Sequence, residues 1–533
     1  MTNVAASPLA VNAQKGSLSS RVLTAARPFS DWLLALSCSL LLILAFPDFE
    51  IWPLAAVALV PLLIVVANRP KPWRSFFLGW LTGTVFFYGS CYWLTYSMIH
   101  YGGVPTVLAY LSLIPVTLVV GLFPGLYAFV LARAIRRWGM AAILTAAFVW
   151  PAFEWARLGI TGQLWNALGY SLAYQSFPIQ AANWGGVYAV GFILVSINAA
   201  IAFLLLRRTA KAASVAIAVI AVTVLVMLVS KELSGNFMRS SDAEVVVVAL
   251  QPNVPMDLVK STAEMQALMD RHLKTTEETL NSLPPSDHAR LVVWPESPMY
   301  FTYGTDTQLR ELLMNFATTH NTSILFNSQE PAPNDGIYNS ALFVNQQGRL
   351  IAQYDKIRLM PFGEYVPLPR WMPGANLITA IVGEFTPGTR FTLMPLGDSR
   401  AGVFICVESA YPYIARNLTN EGADVLINIS NDGYLGPTPV RRQHLANAVF
   451  RAVENGRPVL RVTNTGISAY ITDRGDIHDA TESFQPAVLT WGINGKASSQ
   501  TFYTRHGDVF VAVCALLSLV LLVSTFRFRT KHN

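Results

Sequence analysis

Eight long apolar stretches constrain the fold of this 533-residue chain more than any other feature. They lie at about 31–46, 51–67, 75–97, 104–132, 139–157, 185–206, 213–230 and 508–526. Each is close to or above the roughly 17 to 25 residues that a membrane-spanning helix needs. The first could instead be a signal peptide, but no small-residue cleavage site precedes the next stretch. The pattern predicts an α-helical transmembrane bundle of eight spans, with the fourth tilted or kinked at Pro115 and Pro124.

The amino-acid composition supports this interpretation and excludes one class of partner. Hydrophobic residues make up 53% of the chain and charged residues only 13%, which is too apolar for a soluble protein of this size. The net charge of +6 could suggest a nucleic-acid-binding protein. The basic residues, however, lie at the ends of the apolar stretches, so we expect a lipid bilayer and no nucleic acid as partner.

Basic residues also predict the orientation of the chain. One set of loops and termini contains Lys15, Arg21, Arg27, Arg69, Lys71, Arg74, Arg133, Arg136, Arg137, Arg207, Arg208, Lys211, Arg527, Arg529 and Lys531. The alternate loops contain only Arg157, and an excess of Lys and Arg marks the cytoplasmic side. Both termini are therefore predicted to be cytoplasmic. The predicted divisions are a tail at 1–30, seven spans in 31–230, an external domain at 231–506, an eighth span at 507–526 and a tail at 527–533.

The external segment shows the pattern of an α/β domain. Its β-branched runs are EVVVVAL (244–250), RLVVWPE (290–296), SILFNS (323–328), GVFICVE (402–408), DVLINIS (424–430) and PVLRVTNTG (458–466). Amphipathic stretches such as TAEMQALMDRHLKTTEETL separate several of them, which indicates a sheet covered by helices. The segment has no glycine-rich phosphate loop and no His/Cys cluster with metal spacing. We therefore expect neither a cofactor nor a metal.

Three reactive side chains follow strands in this segment: Glu296 after LVVWP, Lys356 after LIAQYD and Cys406 after GVFI. Each also has an ordinary structural explanation. The glutamate could be a solvated or capping residue, the lysine could pair with Asp355 at the surface, and the cysteine could fill the core. The other three cysteines lie in apolar stretches, so Cys406 has no evident disulfide partner and is either buried packing or a nucleophile.

Together, the three residues supply what acyl transfer from an ester or amide requires. A thiol is mostly protonated at neutral pH, so it needs a base and a cation that favours the thiolate. Glu296 can be that base. Lys356 can stabilise the thiolate and then, with the backbone N–H of Val407, the oxyanion of the tetrahedral intermediate.

The order Glu, Lys, Cys within VVWPES, YDKIRLMPFGEYVP and GVFICVE resembles the nitrilase superfamily, which implies an αββα sandwich and a Glu-Lys-Cys triad. Further motifs resemble the bacterial apolipoprotein N-acyltransferase family: PFGEYVP, NISNDGYLG, QHLANAVFRAVENGRP, RVTNTGISAYI and, among the spans, EWARLGITGQLWNALGYS. The resemblance covers nearly the whole chain after residue 30.

The resemblance assigns roles to individual residues. Glu296 would be the general base, Lys356 the second triad member and Cys406 the nucleophile. Glu364 and Glu408 match acidic positions that complete the site, although a loop carboxylate and a structural hydrogen-bond acceptor are the alternatives. The matches at Asn339, Asn431 and Asp432 are explained equally well by turns or caps.

The implied activity is transfer of a fatty acyl chain from a glycerophospholipid to the N-terminal α-amine of the S-diacylglyceryl cysteine of an apolipoprotein, the last step of lipoprotein maturation. It would run through a cysteine thioester in a ping-pong order, in a bacterial inner membrane with the catalytic domain facing the periplasm. One enclosed site suggests a monomer. The chain departs from the family at three positions. The family commonly has an aromatic residue where this chain has Val407, and Trp where it has Lys260 and Tyr434. These positions bear on how the acyl chain and the acceptor are gripped.

Three other functions remain open from the sequence. A membrane-tethered amidase or nitrilase acting on a small periplasmic substrate would need only one anchoring helix. A lipoprotein-binding protein on an inactive scaffold would not need an intact triad, and a transporter would leave the external domain unexplained. Within the spans, Glu154 and Arg157 could bind a lipid headgroup or could pair near the interface.

Overall fold

The computed structural model describes residues 18–162, 164–233, 243–256, 261–285, 288–296, 302–361, 363–366, 385–494, 496–497 and 499–526. Predictions about Lys260 and about most of the two cytoplasmic tails fall outside these residues. The described residues form an apolar helical part, residues 18–233, and a two-sheet part that begins at residue 243.

All eight apolar stretches contain helix. The elements of the apolar helical part are α1 (Leu18–Ala45), a 3₁₀ helix (Trp52–Ala56), α2 (Val60–Asn68), α3 (Pro72–Ser90), α4 (Leu94–His100), α5 (Thr106–Trp138), a 3₁₀ helix (Met140–Thr145), α6 (Ala146–Thr161), a 3₁₀ helix (Leu168–Leu172), α7 (Ser176–Ile179), α8 (Ala182–Arg207) and α9 (Ala210–Leu233). The third predicted span, 75–97, is thus two helices, because α3 ends at Ser90 and α4 begins at Leu94.

Three of the described helices, α5, α8 and α9, are long and apolar enough to cross a membrane. The segments 30–45, 52–68 and 509–524 are shorter apolar helices. These findings support a membrane-embedded helical part, and the number of eight spans stays a prediction.

Glycines let α3 and α5 pack closely. A Cβ atom at Gly79 would collide with the carbonyl oxygen of Pro124, and one at Gly121 would collide with Thr84. Small residues allow helix backbones to approach each other in apolar surroundings, where packing rather than water exclusion holds helices together. The close α3–α5 contact therefore depends on these glycines.

Twelve described strands form two six-stranded sheets. Their bounds are β1 (Ala243–Gln251), β2 (Ala289–Val293), β3 (Ser323–Ala332), β4 (Gly336–Val344), β5 (Leu350–Asp355), β6 (Leu393–Leu396), β7 (Ser399–Ile405), β8 (Val425–Ser430), β9 (Val459–Thr463), β10 (Ala469–Ile471), β11 (Ile477–His478) and β12 (Ala487–Asn494). The strand orders are β12-β1-β2-β3-β4-β5 and β11-β10-β9-β8-β7-β6. Strands β1, β2 and β3 run parallel, as do β7, β8 and β9, and the other pairs are antiparallel.

Helices cover the outer face of each sheet. They are α10 (Thr262–Ser282), α11 (Thr307–Thr319), α12 (Pro412–Asn420) and α13 (Val440–Asn455). The short α14 (Phe502–His506) packs against other helices, and α15 (Val509–Ser524) then returns to the apolar helical part. Alternate residues of the first sheet enter different cores: Leu291 and Val293 face the second sheet, whereas Val292 packs with α10 and α11. This period of two is the strand signature. The two-sheet αββα sandwich is confirmed.

The sheet topology explains how distant residues meet. Glu296 follows the end of β2, Cys406 follows β7 directly, and Asn431 follows β8. Parallel strands end at the same edge of their sheet, and functional groups collect in the loops beyond such edges. Lys356 follows β5, an antiparallel strand at the outer edge of the first sheet.

Candidate active site

Lys356 lies at the centre of the candidate site. Its side chain is buried, and its Nζ atom lies 2.8 Å from Glu364 Oε1 and 3.3 Å from Glu296 Oε1. Burial alone would lower the pKa of Lys356, but the two carboxylates outweigh it and raise that pKa well above its ordinary value. The lysine is therefore charged at neutral pH. The alternative of a surface pair with Asp355 does not apply, since Lys356 is buried and Asp355 accepts from Ser340 and Gln353.

Asn339, on β4, joins the two carboxylates. Its Nδ2 atom donates to Glu296 Oε1 at 3.0 Å and to Glu364 Oε1 at 2.7 Å, while its Oδ1 atom accepts from Asn327 at 2.7 Å. Its backbone oxygen also accepts the N–H of Lys356 at 2.8 Å. Asn339 therefore sets the positions of both acids and of the lysine, which is more than the turn or cap role considered from the sequence.

Glu296 is held from both sheets. In addition to its contacts with Lys356 and Asn339, its Oε2 atom accepts the backbone N–H of Asn431 at 3.1 Å. Asn431 follows β8 in the second sheet, whereas Asn339 belongs to the first. The carboxylate therefore spans the gap between the sheets.

Cys406 opens a 3₁₀ helix (Cys406–Ala410) at the end of β7 and has a φ angle of 52°. A non-glycine residue in this left-handed region is uncommon and is often found at functional sites. Cys406 is partly exposed, whereas Cys38, Cys91 and Cys514 are buried. Of the four, it is the thiol most accessible to a reagent.

Burial disfavours the thiolate of Cys406. Burial, and then the negative charge of Glu296, raise the pKa of the thiol above its usual range, and the ammonium of Lys356 opposes them. The charges of Glu296 and Lys356 therefore influence the thiol. A thiol in this state needs a base to remove its proton when it reacts.

The two other predicted acids have different environments. Glu364 accepts hydrogen bonds from Lys356, from Asn339 and, at 2.7 Å, from the N–H of Met360, so it is part of the lysine site. Glu408 does not contact the lysine.

Glu408 is a buried clamp between two chain segments. Its Oε1 atom accepts the N–H groups of Ile357 at 2.7 Å and Arg358 at 3.0 Å, and its Oε2 atom accepts that of Ile405 at 2.7 Å. Tyr354 donates its hydroxyl to both oxygens at 2.9 Å. Burial raises the pKa of Glu408 to about 7 against the effect of these bonds. Glu408 thus joins the residues after Lys356 to the residue before Cys406.

A buried cluster below the nucleophile was not identified from the sequence. His444 Nε2 lies 2.9 Å from the carbonyl oxygen of Cys406, and His444 Nδ1 lies 2.8 Å from Asp432 Oδ1. Arg461 donates to Asp432 Oδ2 at 2.8 Å. Burial alone would raise the pKa of Asp432, but Arg461 and His444 hold it well below its ordinary value. The sequence signals were the presence of Asp432, His444 and Arg461 in three of the family motifs, which do not show that these residues meet.

Residues of the apolar helical part bind the helix that carries His444. The indoles of Trp93 and Trp165 donate to Gln443 Oε1 at 3.0 and 2.8 Å. Gln443 Nε2 donates to the carbonyl oxygens of Pro47 and Ser90. The candidate site is therefore attached to the ends of apolar helices through one glutamine.

A second attachment lies at the loop after β8. Ser97 donates to the carbonyl oxygen of Tyr434 at 2.6 Å, and Tyr101 donates to that of Gly433 at 3.4 Å. The rings of Tyr101 and Tyr434 are 5.7 Å apart in an edge-to-face contact. Tyr434 therefore lies at the junction between the two parts of the molecule.

Glu154 and Arg157 on α6 are both buried. Among the described residues they form no ion pair within 4.0 Å, so the alternative of a pair near the interface is not supported. Glu154 Oε1 accepts the N–H of Leu168 at 2.7 Å, and Arg157 donates to the carbonyl oxygen of Trp165 at 2.7 Å. The other carboxylate oxygen of Glu154 is buried without a hydrogen-bond partner.

No group of three or more His, Cys, Asp or Glu side chains within the described ranges could hold a metal ion. The candidate site instead contains the carboxylates of Glu296 and Glu364, the ammonium of Lys356 and the thiol of Cys406.

Comparison with known proteins identifies the family. Residues 38–200 match the model of the apolipoprotein N-acyltransferase N-terminal domain, and residues 247–497 match that of carbon-nitrogen hydrolases. An apolipoprotein N-acyltransferase from Geobacter metallireducens is 31% identical over 517 residues, which cover 95% of this chain and 97% of the relative. The chain belongs to the apolipoprotein N-acyltransferase family.

A second relative and a solved structure also match this chain. The protein of that name from Caulobacter vibrioides is 30% identical over 529 residues, covering 95% of this chain and 96% of the relative. Among solved structures, Nit3 of Saccharomyces cerevisiae, a nitrilase-superfamily member, matches 47% of this chain and 90% of its own length, with 19% identity and a TM-score of 0.35. By the two family models and the curated relatives, the chain is an acyltransferase of lipoprotein biosynthesis with a nitrilase-superfamily domain, and its apolar helices fit a membrane protein.

Proposed function

We propose that this acyltransferase moves a fatty acyl chain from a membrane glycerophospholipid to the N-terminal α-amine of the S-diacylglyceryl cysteine of an apolipoprotein. The acyl chain passes through a thioester on Cys406, in a ping-pong order. The observation that carries the proposal is the partly exposed thiol on a left-handed turn after β7, in the same domain as a buried lysine that is paired with Glu296 and Glu364.

In the first half-reaction, Glu296 takes the thiol proton as the sulfur of Cys406 attacks the carbonyl carbon of the phospholipid ester. The negative charge that develops on the carbonyl oxygen is stabilised by Lys356 and by the backbone N–H of Val407. When the intermediate collapses, the ester C–O bond breaks and the leaving oxygen takes the proton from Glu296. A lysophospholipid departs and the thioester remains.

In the second half-reaction, the α-amine of the apolipoprotein attacks the thioester carbon. Glu296 accepts a proton from the attacking amine, and the same two donors stabilise the oxyanion. Collapse breaks the C–S bond, forms the amide and returns the proton to the sulfur.

The attachment of the site to apolar helices supports a lipid donor. Burial in the bilayer contributes ~0.8 kcal/mol per CH₂ group, so withdrawing a chain of about sixteen carbons costs on the order of 12 kcal/mol. Cys406 is connected through His444 and the neighbouring Gln443 to Trp93 and Trp165 at the ends of such helices. An acyl chain can then reach the thiol without leaving its apolar surroundings.

We also propose a cellular location and an oligomeric state for this chain. It is a multi-pass protein of the bacterial inner membrane, with both termini in the cytoplasm and the two-sheet part in the periplasm. This orientation follows from the distribution of basic residues. One site with its own lipid access works as a monomer.

Mass spectrometry of the full chain in nanodiscs tests the proposal. Incubation with phospholipid should add one fatty acyl group to Cys406, and Cys406→Ala should lose the adduct while the matched control Cys514→Ala keeps it. A diacylated lipopeptide should then discharge the adduct onto its amine. Absence of any adduct on active protein would exclude the thioester route, and release of free fatty acid alone would favour a hydrolase.

A further inference from the structure

We propose that His444 is a positioning residue that holds the peptide between Cys406 and Val407 and thereby aims the Val407 N–H at the oxyanion. This inference rests on the proposed function, in which Cys406 is the nucleophile. Its basis is the 2.9 Å contact between His444 Nε2 and the carbonyl oxygen of Cys406. A carbonyl oxygen can only accept, so Nε2 carries a hydrogen and donates.

The imidazole ring is held in this orientation by charged neighbours. His444 Nδ1 lies 2.8 Å from Asp432 Oδ1 and 3.1 Å from Arg461 Nη2. Nδ1 therefore has a partner whether it carries a proton or not: the carboxylate accepts, and the guanidinium donates. Asp432 and Arg461 are the charged groups that contact the ring among the described residues. Trp165 of the apolar helical part packs against the ring, with centroids 5.7 Å apart.

The covalent geometry of the peptide transmits this contact. The carbonyl of Cys406 and the N–H of Val407 belong to one planar trans peptide and point in opposite directions. A donor that fixes the carbonyl therefore fixes the direction of the N–H. The same hydrogen bond polarises the peptide and strengthens its N–H as a donor.

Two further observations fit this role. Outside regular helices and strands, the described part of the chain has no acceptor for the Val407 N–H. The φ angle of 52° at Cys406 is one that a non-glycine residue keeps only when its surroundings hold it. The His444 contact supplies such a restraint directly beside the nucleophile.

The test separates oxyanion stabilisation from thiol reactivity. Alkylation of Cys406 by iodoacetamide forms no oxyanion, whereas acylation by phospholipid does. His444→Leu should slow acylation by about 10²- to 10³-fold, the effect of losing one oxyanion donor, and should leave alkylation nearly unchanged. His444→Gln places an amide N–H near the position of Nε2 and should restore most of the acylation rate.

Asp432→Asn provides a second variant in case His444→Leu does not fold. It keeps the imidazole but weakens its anchor, so acylation should fall while alkylation persists. The matched control is His478→Leu, at an exposed position, which should change neither rate. Folding of each variant is checked by thermal melting in nanodiscs.

Three results would overturn the role of His444: normal acylation in folded His444→Leu or Asp432→Asn, a parallel loss of alkylation and acylation, or no rescue by glutamine. A wild-type protein that alkylates at Cys406 but forms no thioester would instead reject the proposed function. The two failures are therefore distinguishable.

Discussion

Replacing Glu408 by glutamine tests whether the clamp between the segments of Lys356 and Cys406 stabilises the fold. The wild-type side chain accepts backbone N–H groups on both oxygens: two from the segment after Lys356 and one from Ile405. Glutamine has nearly the same shape but only one oxygen. Whichever way its amide is turned, its NH₂ group faces at least one buried backbone donor.

The expected cost follows from this count. A hydrogen bond to a charged group contributes about 1.5 to 3 kcal/mol, and a buried N–H left without a partner costs about 1 to 3 kcal/mol. Together, these predict a loss of about 2.5 to 6 kcal/mol in the free energy of unfolding. At about 2 to 4 °C per kcal/mol, the melting temperature should fall by about 5 to 24 °C.

The assay is thermal unfolding of the full chain in nanodiscs at one fixed pH, with Glu421→Gln as the matched control at an exposed position. Acylation of Cys406, measured well below the lower melting temperature, should also slow, because the clamp joins the two segments that carry the reacting groups. A melting temperature within about 2 °C of the wild type would refute the argument, since it would mean that the lost acceptor costs less than about 1 kcal/mol.

Three further substitutions have defined outcomes. Glu296→Gln removes a negative charge that raises the pKa of the Cys406 thiol, so alkylation of Cys406 at pH 8 should become faster, whereas acylation should fall about 10²- to 10⁴-fold because the base is lost. The alkylation rate of the wild type should still be rising above pH 9, and a fall in both rates in the variant would contradict this assignment. Asn339→Leu removes a donor shared by Glu296 and Glu364 and should slow acylation about 10- to 100-fold, whereas Asn315→Leu, at an exposed position, should not. An Asn339→Leu variant that acylates at the wild-type rate would contradict the positioning role of Asn339. Gln443→Leu leaves two indoles and two carbonyl groups without their partner and should lower the free energy of unfolding by about 2 to 4 kcal/mol, as measured by thermal melting. An unchanged melting temperature would contradict this.

Much of the secondary structure could be predicted from local patterns. All eight apolar stretches contain helix, and the six β-branched runs correspond to β1, β2, β3, β7, β8 and β9. The short strands β6, β10 and β11, and the strands β4 and β12, were missed. Their pairing within a sheet, rather than their own apolar pattern, keeps them extended.

The candidate site was predictable in its residue types but not in its connections. The alternative for Lys356 was a neighbour in sequence, Asp355, whereas its partners lie 8 and 60 residues away. Asn339 could have been a turn residue, and nothing marked Arg461 as a partner of Asp432. Each of these contacts depends on how strands are ordered in the two sheets, which local periodicity does not encode.

The sequence by itself determined which segments are apolar enough to avoid water, which residues follow strands, and that a carboxylate, an ammonium and a single thiol occur in one segment. Hydrophobic period, charge placement and residue type are properties of the chain read locally, so they need no coordinates. The tertiary structure alone decided that Glu296 is shared by both sheets, that Glu408 joins two segments, and that His444 lies against the carbonyl of the nucleophile. These contacts join residues far apart in the chain, and only the packing of one element against another brings them within hydrogen-bond distance.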